Sequence, residues 1–329
     1  MIAVKTSLKR GALVTAANWH VVLIQFVADA LFKTLLAVPI VGGVFLVVLL
    51  VGGDPLDLLE LPVRSIVPTM TSVLLAQPIA LGAFLFAVAV VLLGGSLMMF
   101  FVKGGTVTVL VAAERRAGAI EHPPLRLPAF RRATEFTLDR FVQGAQALFG
   151  RYVIIGSGLL AVYGVSTIVS LVFIFRPGSQ ESWETTAAAS VVLVAWITVV
   201  NLLYLLLQAI VGIDDCAVGE AVRRAVQLVR EEFRTVALIF LATLTLIVLT
   251  TAASILATAA LGLIAFVPFV GLAAVPLQLI AWSVRGIVFE FIGLTSLVAY
   301  LRVYRLMREG AASADNGTRR VATITRLPA

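Results

Sequence analysis

The chain has 329 residues, of which 60% are hydrophobic and only 13% are charged. An ordinary soluble domain carries about 25% charged residues, so this composition excludes a soluble globular protein and a disordered chain. The single cysteine, Cys216, excludes a scaffold built on intrachain disulfides. The composition therefore predicts an all-α, polytopic integral membrane protein.

Stretches without Asp, Glu, Lys or Arg locate the expected spans, because a bilayer core about 30 Å thick requires roughly 20 apolar residues in a helix. The charge-free stretch 235–284 is too long for one span, and Pro268 and Gly271 divide it near its centre. A β-barrel is excluded because the apolar stretches do not alternate with polar residues. The predicted spans are residues 34–53, 78–102, 152–175, 187–211, 235–265 and 272–302.

These spans predict one six-helix membrane domain over residues 1–309, with a cytoplasmic loop at 104–151 and a flexible, basic cytoplasmic tail at 310–329. The segments between spans alternate in charge: 22 basic residues fall on one side, against Arg64 and Arg176 on the other. Basic residues accumulate on the cytoplasmic side, so both termini are predicted to be cytoplasmic. We expect a multi-pass protein of the cell membrane, here a bacterial inner membrane, with no cleaved signal peptide.

Three segments that precede a span have an amphipathic pattern: 18–33, 141–152 and 221–233. At each segment a small residue precedes an aromatic residue by eight positions: Gly11, which lies before the first segment, and Trp19; Gly144 and Tyr152; Ala225 and Phe233. The pattern predicts three hairpins, each preceded by an amphipathic cytoplasmic helix. The alternative is that every inward-facing helix start carries arginine and an aromatic residue at the interface. The first segment is either a helix on the membrane surface or an extension of the first span.

The sequence pattern of the third segment resembles that of known membrane proteins. An acidic turn, Asp214-Asp215, leads to Glu220-Ala221 and then Arg223-Arg224. This pattern resembles bacterial six-helix integral membrane proteins of unknown function and, distantly, the membrane domain of glycerophosphodiester phosphodiesterases. The resemblance covers about residues 210–305 and implies architecture alone, because the chain has no phosphodiesterase domain.

Recognised catalytic patterns are absent from the sequence. There is no phosphate-binding loop of the Gly-x-x-x-x-Gly-Lys-Ser/Thr type and no His-Glu-x-x-His zinc motif. The two histidines, His20 and His122, have no ligand partner at a suitable spacing. Ser96 follows two glycines inside the second span, but no histidine lies in any predicted span to activate it. We therefore expect no enzymatic activity, no cofactor and no metal site.

Polar residues inside the predicted spans define a candidate intramembrane site. On the fourth span, Asn201, Tyr204 and Gln208 share one face, and the sixth span carries Gln278, Arg285 and Glu290. Glu290 is expected about 15 Å from the cytoplasmic boundary. A charge at such a depth costs at least about 2.5–3.5 kcal/mol, so the carboxyl group must be protonated, paired or hydrated. The predicted partners are the polar residues of the fourth span.

Two interpretations of this polar layer remain open from the sequence: a proton-relay or ligand site, or a buried polar contact that fixes helix packing. A stripe at spacing four on the fifth span, formed by Thr250, Ser254, Thr258 and Gly262, predicts a close helix contact and favours the second. A cavity that reaches Glu290 would favour transport, whereas a dry, close-packed bundle would favour a scaffold.

The basic cytoplasmic segments are expected to contact anionic lipid headgroups. A nucleic-acid partner is not expected, because no folded basic domain is present, and a protein partner stays unidentified. The sequence thus predicts a membrane-embedded binding, scaffold or assembly component. The alternative is a transporter or permease-like protein for a lipid or apolar small molecule that uses the polar site around Glu290.

Overall fold

The computed structural model describes residues 2–51, 75–122, 127–174, 183–265 and 271–324. Within these ranges the regular secondary structure is helical and contains no strand, which confirms the all-α prediction. The helices are α1 (Ile2–Ala17), α2 (Trp19–Val51), α3 (Pro78–Arg116), α4 (Leu127–Arg132), α5 (Leu138–Ile174), α6 (Trp183–Asp214), α7 (Val218–Glu231), α8 (Phe233–Ala265) and α9 (Gly271–Ile324).

Six of the described helices are long and apolar enough to cross a membrane, as predicted. The candidate spans are Trp19–Val48, Pro78–Arg116, Leu138–Ser170, Ala187–Asp214, Phe233–Leu263 and Pro276–Gly310. Several extend well past the predicted bounds, because a helix does not have to end at its first charged residue. Lys103 and Arg151 thus lie inside α3 and α5.

The segment predicted as a cytoplasmic loop, 104–151, is mostly helical. It contains the end of α3, the short helix α4 and the beginning of α5. The predicted tail at 310–329 is likewise helical as far as Ile324, since α9 continues through it, and residues 325–329 lie outside the described part.

The first amphipathic segment is an extension of the first span, because α2 runs without a break from Trp19 to Val51. It is preceded by α1, a helix that the sequence pattern did not predict. Asn18 separates the two and is fully buried. Its amide nitrogen donates to the Val14 and Ala133 carbonyl oxygens at 2.9 and 2.7 Å, and its carbonyl oxygen accepts from the Glu135 and Phe136 amides. One side chain therefore fixes the bend between α1 and α2 against the segment that follows α4.

The helix contacts repeat in the same order around the bundle, as expected for the three predicted units of a helical segment and a hairpin. The helical segment that precedes each hairpin packs against the last helix of the preceding hairpin: α1 on α9, the start of α5 on α3, and α7 on α6. The small residues of the sequence pattern mark these contacts. A Cβ on Gly11 would collide with the Thr295 carbonyl oxygen, and one on Gly144 with the Thr108 side chain. Ala225 is buried. The second unit differs because α5 passes through Tyr152 without a break.

Buried side chains concentrate at one end of the spans, near α1, α4 and α7. The largest include Tyr152, Ile210, Leu228, Ile239 and Leu301. Toward the other end, many apolar side chains on the spans are exposed. The stripe on the fifth span belongs to this second region.

The predicted close contact along that stripe is wrong at two of its residues. Thr258 is exposed, and no described atom lies within 4 Å of a Cβ placed on Gly262. Spacing four puts small residues on one face but does not tell whether another helix covers that face.

Candidate ligand-binding cleft and adjoining charged network

A cleft of about 420 Å³ lies between α2 and α9 and reaches Glu290. Beside the cleft, α2 and α9 are in close contact, because a Cβ on Gly286 would collide with the Phe26 ring. Besides these residues, its walls carry Asp29, Ala30, Lys33, Trp282, Ser283, Arg285 and Phe289. Four ionisable side chains therefore meet in a cavity formed by two membrane-spanning helices.

The neighbours of Glu290 lie on the first and second spans. The Gln25 side chain is within hydrogen-bonding reach of the half-buried carboxyl group, and the charges of Lys103, Asp29 and Lys33 act on it. Each of these residues was placed outside the predicted spans, either in the segment before the first span or at the start of the 103–151 segment. The signal that identifies them is the i,i+4 pattern of Gln25, Asp29 and Lys33, which puts three polar side chains on one face of a helix.

The fourth span contributes to this polar layer through one residue. The Lys103 ammonium lies 4.9 Å from the centre of the Tyr204 ring, a cation–π contact that connects α3 with α6. Asn201 instead accepts a hydrogen bond from the Tyr163 hydroxyl at 2.6 Å. The backbone oxygen of Gln208 accepts one from the Tyr152 hydroxyl at 3.0 Å. Gln278 lies farther along α9 and does not line the cleft. Of the six predicted site residues, the cleft thus brings Arg285 and Glu290 together.

Among the charged side chains that line the cleft, Asp29 and Lys33 are paired with each other, whereas Arg285 is not in an ion pair among the described residues. Asp29 and Lys33 form an ion pair at 2.5 Å along α2. Arg285 forms no ion pair within the described residues, and its guanidinium lies 5.3 Å from the centre of the Phe289 ring. A guanidinium is always protonated and presents a planar set of donors that matches carboxylate and phosphate groups. The cleft therefore offers an anion-binding group within an apolar span.

A buried charged network lies at the end of α3. The Arg10 side chain is only 6% exposed and pairs with Glu114 at 3.1 Å and Glu121 at 2.8 Å. It also donates to the Glu114 carbonyl oxygen at 2.9 Å. From α9, Arg302 pairs with Glu121 at 2.7 Å, and Arg305 pairs with Glu114. These contacts join α1, the end of α3 and the last part of α9.

A second network of the same design lies at the end of α6. Asp214 is almost fully buried and pairs with Arg224 of α7 and Arg308 of α9. The Tyr304 hydroxyl donates to the same carboxylate. Arg224, like Arg10, directly precedes the small residue of its segment. In both networks an acid at the end of a span thus binds one arginine from a helix that precedes a hairpin, α1 or α7, and one from α9.

The environment shifts the pKa values of groups outside the spans. Burial raises the pKa of Glu121, but its backbone hydrogen bond and its contacts with Arg10 and Arg302 outweigh this effect and lower it. Burial raises the pKa of the Cys216 thiol, and the nearby Arg224 offsets this only in part. The thiolate therefore forms less readily at Cys216 than in an exposed cysteine.

Comparisons with protein-family models, curated proteins and solved structures find no match. The resemblance to the membrane domain of glycerophosphodiester phosphodiesterases therefore stays a prediction. In the part of the chain that the structure describes, no group of three or more His, Cys, Asp or Glu residues could hold a metal ion.

Proposed function

We propose that this protein is a permease-like membrane protein that binds an amphipathic organic anion in the cleft between α2 and α9. The observation that carries the proposal is the Arg285 guanidinium, which has no ion-pair partner among the described residues and lines a cleft of about 420 Å³ beside Glu290. Ligand sites commonly have volumes of about 300–1,000 Å³. A charge inside a span usually marks a binding or transport path.

The ligand class follows from the walls of the cleft. Arg285 supplies hydrogen-bond donors for a carboxylate or phosphate group, while Trp282 is exposed and adjoins the apolar outer surface of α9. An amphiphile can place its acidic group beside Arg285 and its apolar chain along that surface. A fully hydrophilic ion would leave the apolar surface unused.

Glu290 gives this binding a pH dependence. An anion held by Arg285 would share the cleft with the Glu290 carboxyl group, which lies five residues farther along α9. Repulsion between the two negative charges disappears when Glu290 is protonated. Ligand affinity is therefore expected to rise as pH falls, and Glu290→Gln is expected to remove that dependence while retaining binding.

Tryptophan quenching tests the binding step directly, because Trp282 lines the cleft. The purified protein in detergent is titrated with dibromostearate, whose bromine atoms quench a nearby indole. Loss of a hydrogen bond to a charged group costs about 1.5–3 kcal/mol, so Arg285→Gln should weaken binding by about tenfold or more. Arg285→Lys should retain part of the affinity. Arg234→Gln, at an exposed position at the start of α8, serves as the matched control.

Two results would contradict the binding proposal. One is unchanged quenching in Arg285→Gln. The other is quenching that persists at full amplitude in Trp282→Phe, since the signal would then come from a different part of the protein.

A permease also has to expose its site to both sides of the membrane. A cysteine at Ser283, with Cys216 replaced, reports this in proteoliposomes of known orientation. Reaction with an impermeant thiol reagent from each side in turn supports a transport cycle. Reaction from one side alone contradicts it and leaves a binding protein.

A scaffold or assembly role is the second candidate, supported by the exposed apolar ends of the spans. A groove of about 610 Å³ between α5 and α6 is lined mainly by apolar side chains, among them the exposed Val192 and Trp196. A photo-crosslinker at Val192 in native membranes should yield one adduct of defined mass if a partner protein packs there. Adducts with lipid alone would contradict this role.

We further propose that the protein lies in the cell membrane of a bacterium with both termini cytoplasmic, on the basis of the 22-to-2 asymmetry of basic residues. Single cysteines at Ser179 and Ser313, with Cys216 replaced, test the orientation in intact cells. An impermeant reagent should label the first and not the second. The opposite labelling would show an inverted topology.

A further inference from the structure

A second groove lies on the side of α9 that faces α1 and α8, away from the Glu290 cleft. It has a volume of about 790 Å³. Its walls are mostly apolar and come from three helices: Val4, Leu8 and Ala12 of α1, Leu238, Leu241, Ala242 and Leu246 of α8, and Phe291 and Ile292 of α9. The groove is therefore a mostly apolar channel between α1 and the membrane hairpin of α8 and α9.

The α1 side of this groove is basic. Lys5 and Lys9 line it, one helical turn apart, and both are exposed. Neither forms an ion pair within the described residues, although the Lys9 ammonium donates to the Glu121 carbonyl oxygen at 2.8 Å. No acidic residue lines the groove. The charge is thus complementary to an anionic group whose apolar part would occupy the channel.

A buried hydroxyl provides a second, independent indication of a ligand. Thr295 lines the groove and is 8% exposed, yet its Oγ1 has no hydrogen-bond partner in the described structure. On α8, by contrast, the hydroxyls of Thr243 and Thr245 donate to the carbonyl oxygens four residues earlier, at 2.9 and 2.8 Å. Buried polar groups are normally paired, so a bound ligand would supply the hydrogen-bond partner that the Thr295 hydroxyl lacks among the described residues.

We infer that this groove binds one molecule of an anionic phospholipid, with the phosphate on Lys5 and Lys9 and an acyl chain in the channel. An ester carbonyl oxygen of the lipid would accept the hydrogen bond from Thr295. The lipid would fill the space between α1 and α8 and so complete the contact of α1 with the membrane domain. This site is separate from the proposed ligand cleft, and neither proposal depends on the other.

Native mass spectrometry of the delipidated full-length protein tests the inference. The protein is titrated with dioleoylphosphatidylglycerol, and with dioleoylphosphatidylcholine for comparison. We expect one tight adduct with the anionic lipid. Each basic residue near a membrane surface contributes to lipid affinity, so the double variant Lys5→Gln/Lys9→Gln should weaken that adduct about thirtyfold. Thr295→Val should weaken it about fivefold.

Two further variants complete the design. Ala242→Phe fills the channel without changing charge and should prevent formation of the adduct. Arg131→Gln/Arg132→Gln removes two exposed charges from α4 and should leave it unchanged. Helical content by circular dichroism verifies folding, and the lysine variants keep the test valid if the phenylalanine variant does not fold.

Three outcomes would overturn the inference. Equal binding of the anionic lipid to all variants would place it elsewhere. Removal of the α4 arginines could weaken the adduct as much as removal of the lysines, which would indicate non-specific charge attraction. Finally, a dimer that Ala242→Phe converts to a monomer would show that a second copy of the chain occupies the groove.

Discussion

Replacing Arg10 by methionine is expected to destabilise the protein more than any other single removal of an arginine. Its guanidinium is buried between Glu114 and Glu121 and also donates to a backbone carbonyl oxygen. Methionine fills a similar space but carries no charge. The substitution therefore tests the electrostatic contribution of the network without opening a large cavity.

The expected loss of stability depends on the arginines that still pair with the Glu114 and Glu121 carboxylates. Breaking a buried ion pair by removing one partner typically costs about 3–5 kcal/mol. Here Glu121 keeps Arg302, and Glu114 keeps Arg305. We therefore expect the lower end of that range, about 3 kcal/mol. Arg132→Met, on the exposed surface of α4, should change stability by less than about 0.5 kcal/mol.

Titration with sodium dodecyl sulfate in mixed micelles, followed by circular dichroism, measures the free energy of unfolding of both variants. A loss in Arg10→Met within about 0.5 kcal/mol of the loss in Arg132→Met would refute the reasoning. It would mean that the remaining arginines fully compensate for the missing one.

Three further predictions concern packing, pH and thiol chemistry. Gly11→Ala should lower the melting temperature, because its Cβ would collide with the Thr295 carbonyl oxygen, whereas Gly150→Ala, in open space on α5, should preserve or raise it. The pKa of Glu121 is lowered on folding, so its contribution to stability is complete above pH 4.5 and is lost as pH falls below that value through the folded pKa. Glu121→Gln should accordingly flatten the melting temperature profile in this acidic range. Cys216 should react with iodoacetamide much more slowly than free cysteine at neutral pH, because it is buried and its pKa is raised; equal rates would contradict the buried environment.

The sequence was sufficient to predict the fold class and the number of spans. Both depend on long apolar stretches, which require no knowledge of tertiary contacts. The residues at which the helices begin and end were harder to predict from the sequence. Lys103 and Arg151 end an apolar stretch without ending the helix, because neighbouring helices bind their charges: Lys103 contacts the Tyr204 ring, and Arg151 pairs with Asp215.

The candidate site could be predicted in part. Depth and charge singled out Glu290 and Arg285, and the structure brings both into one cleft. Their neighbours on α2 were missed because Asp29 and Lys33 interrupt the apolar pattern and therefore suggest a segment outside the span. The contacts between helices that are distant in sequence follow from the cyclic arrangement of the three hairpins, which a single sequence does not specify.

The arginines at the ends of the spans show a related limit. The number of these arginines indicated a charged surface, but it did not indicate that they form ion pairs with acidic residues of other helices. Arg302, Arg305 and Arg308 pair with acids at the ends of other helices. Lipid contact and ion pairing place the same residue types at the same positions in the sequence, so composition alone cannot separate them.

The central claim is that the cleft between α2 and α9 binds an amphipathic anion through Arg285. An electron cryo-microscopy map of the protein purified with dibromostearate tests it most directly, because the bromine atoms identify the ligand. We expect ligand density in the cleft, with the ligand carboxylate within hydrogen-bonding distance of the Arg285 guanidinium. A closed cleft in which Arg285 pairs with a carboxylate of the protein would contradict it.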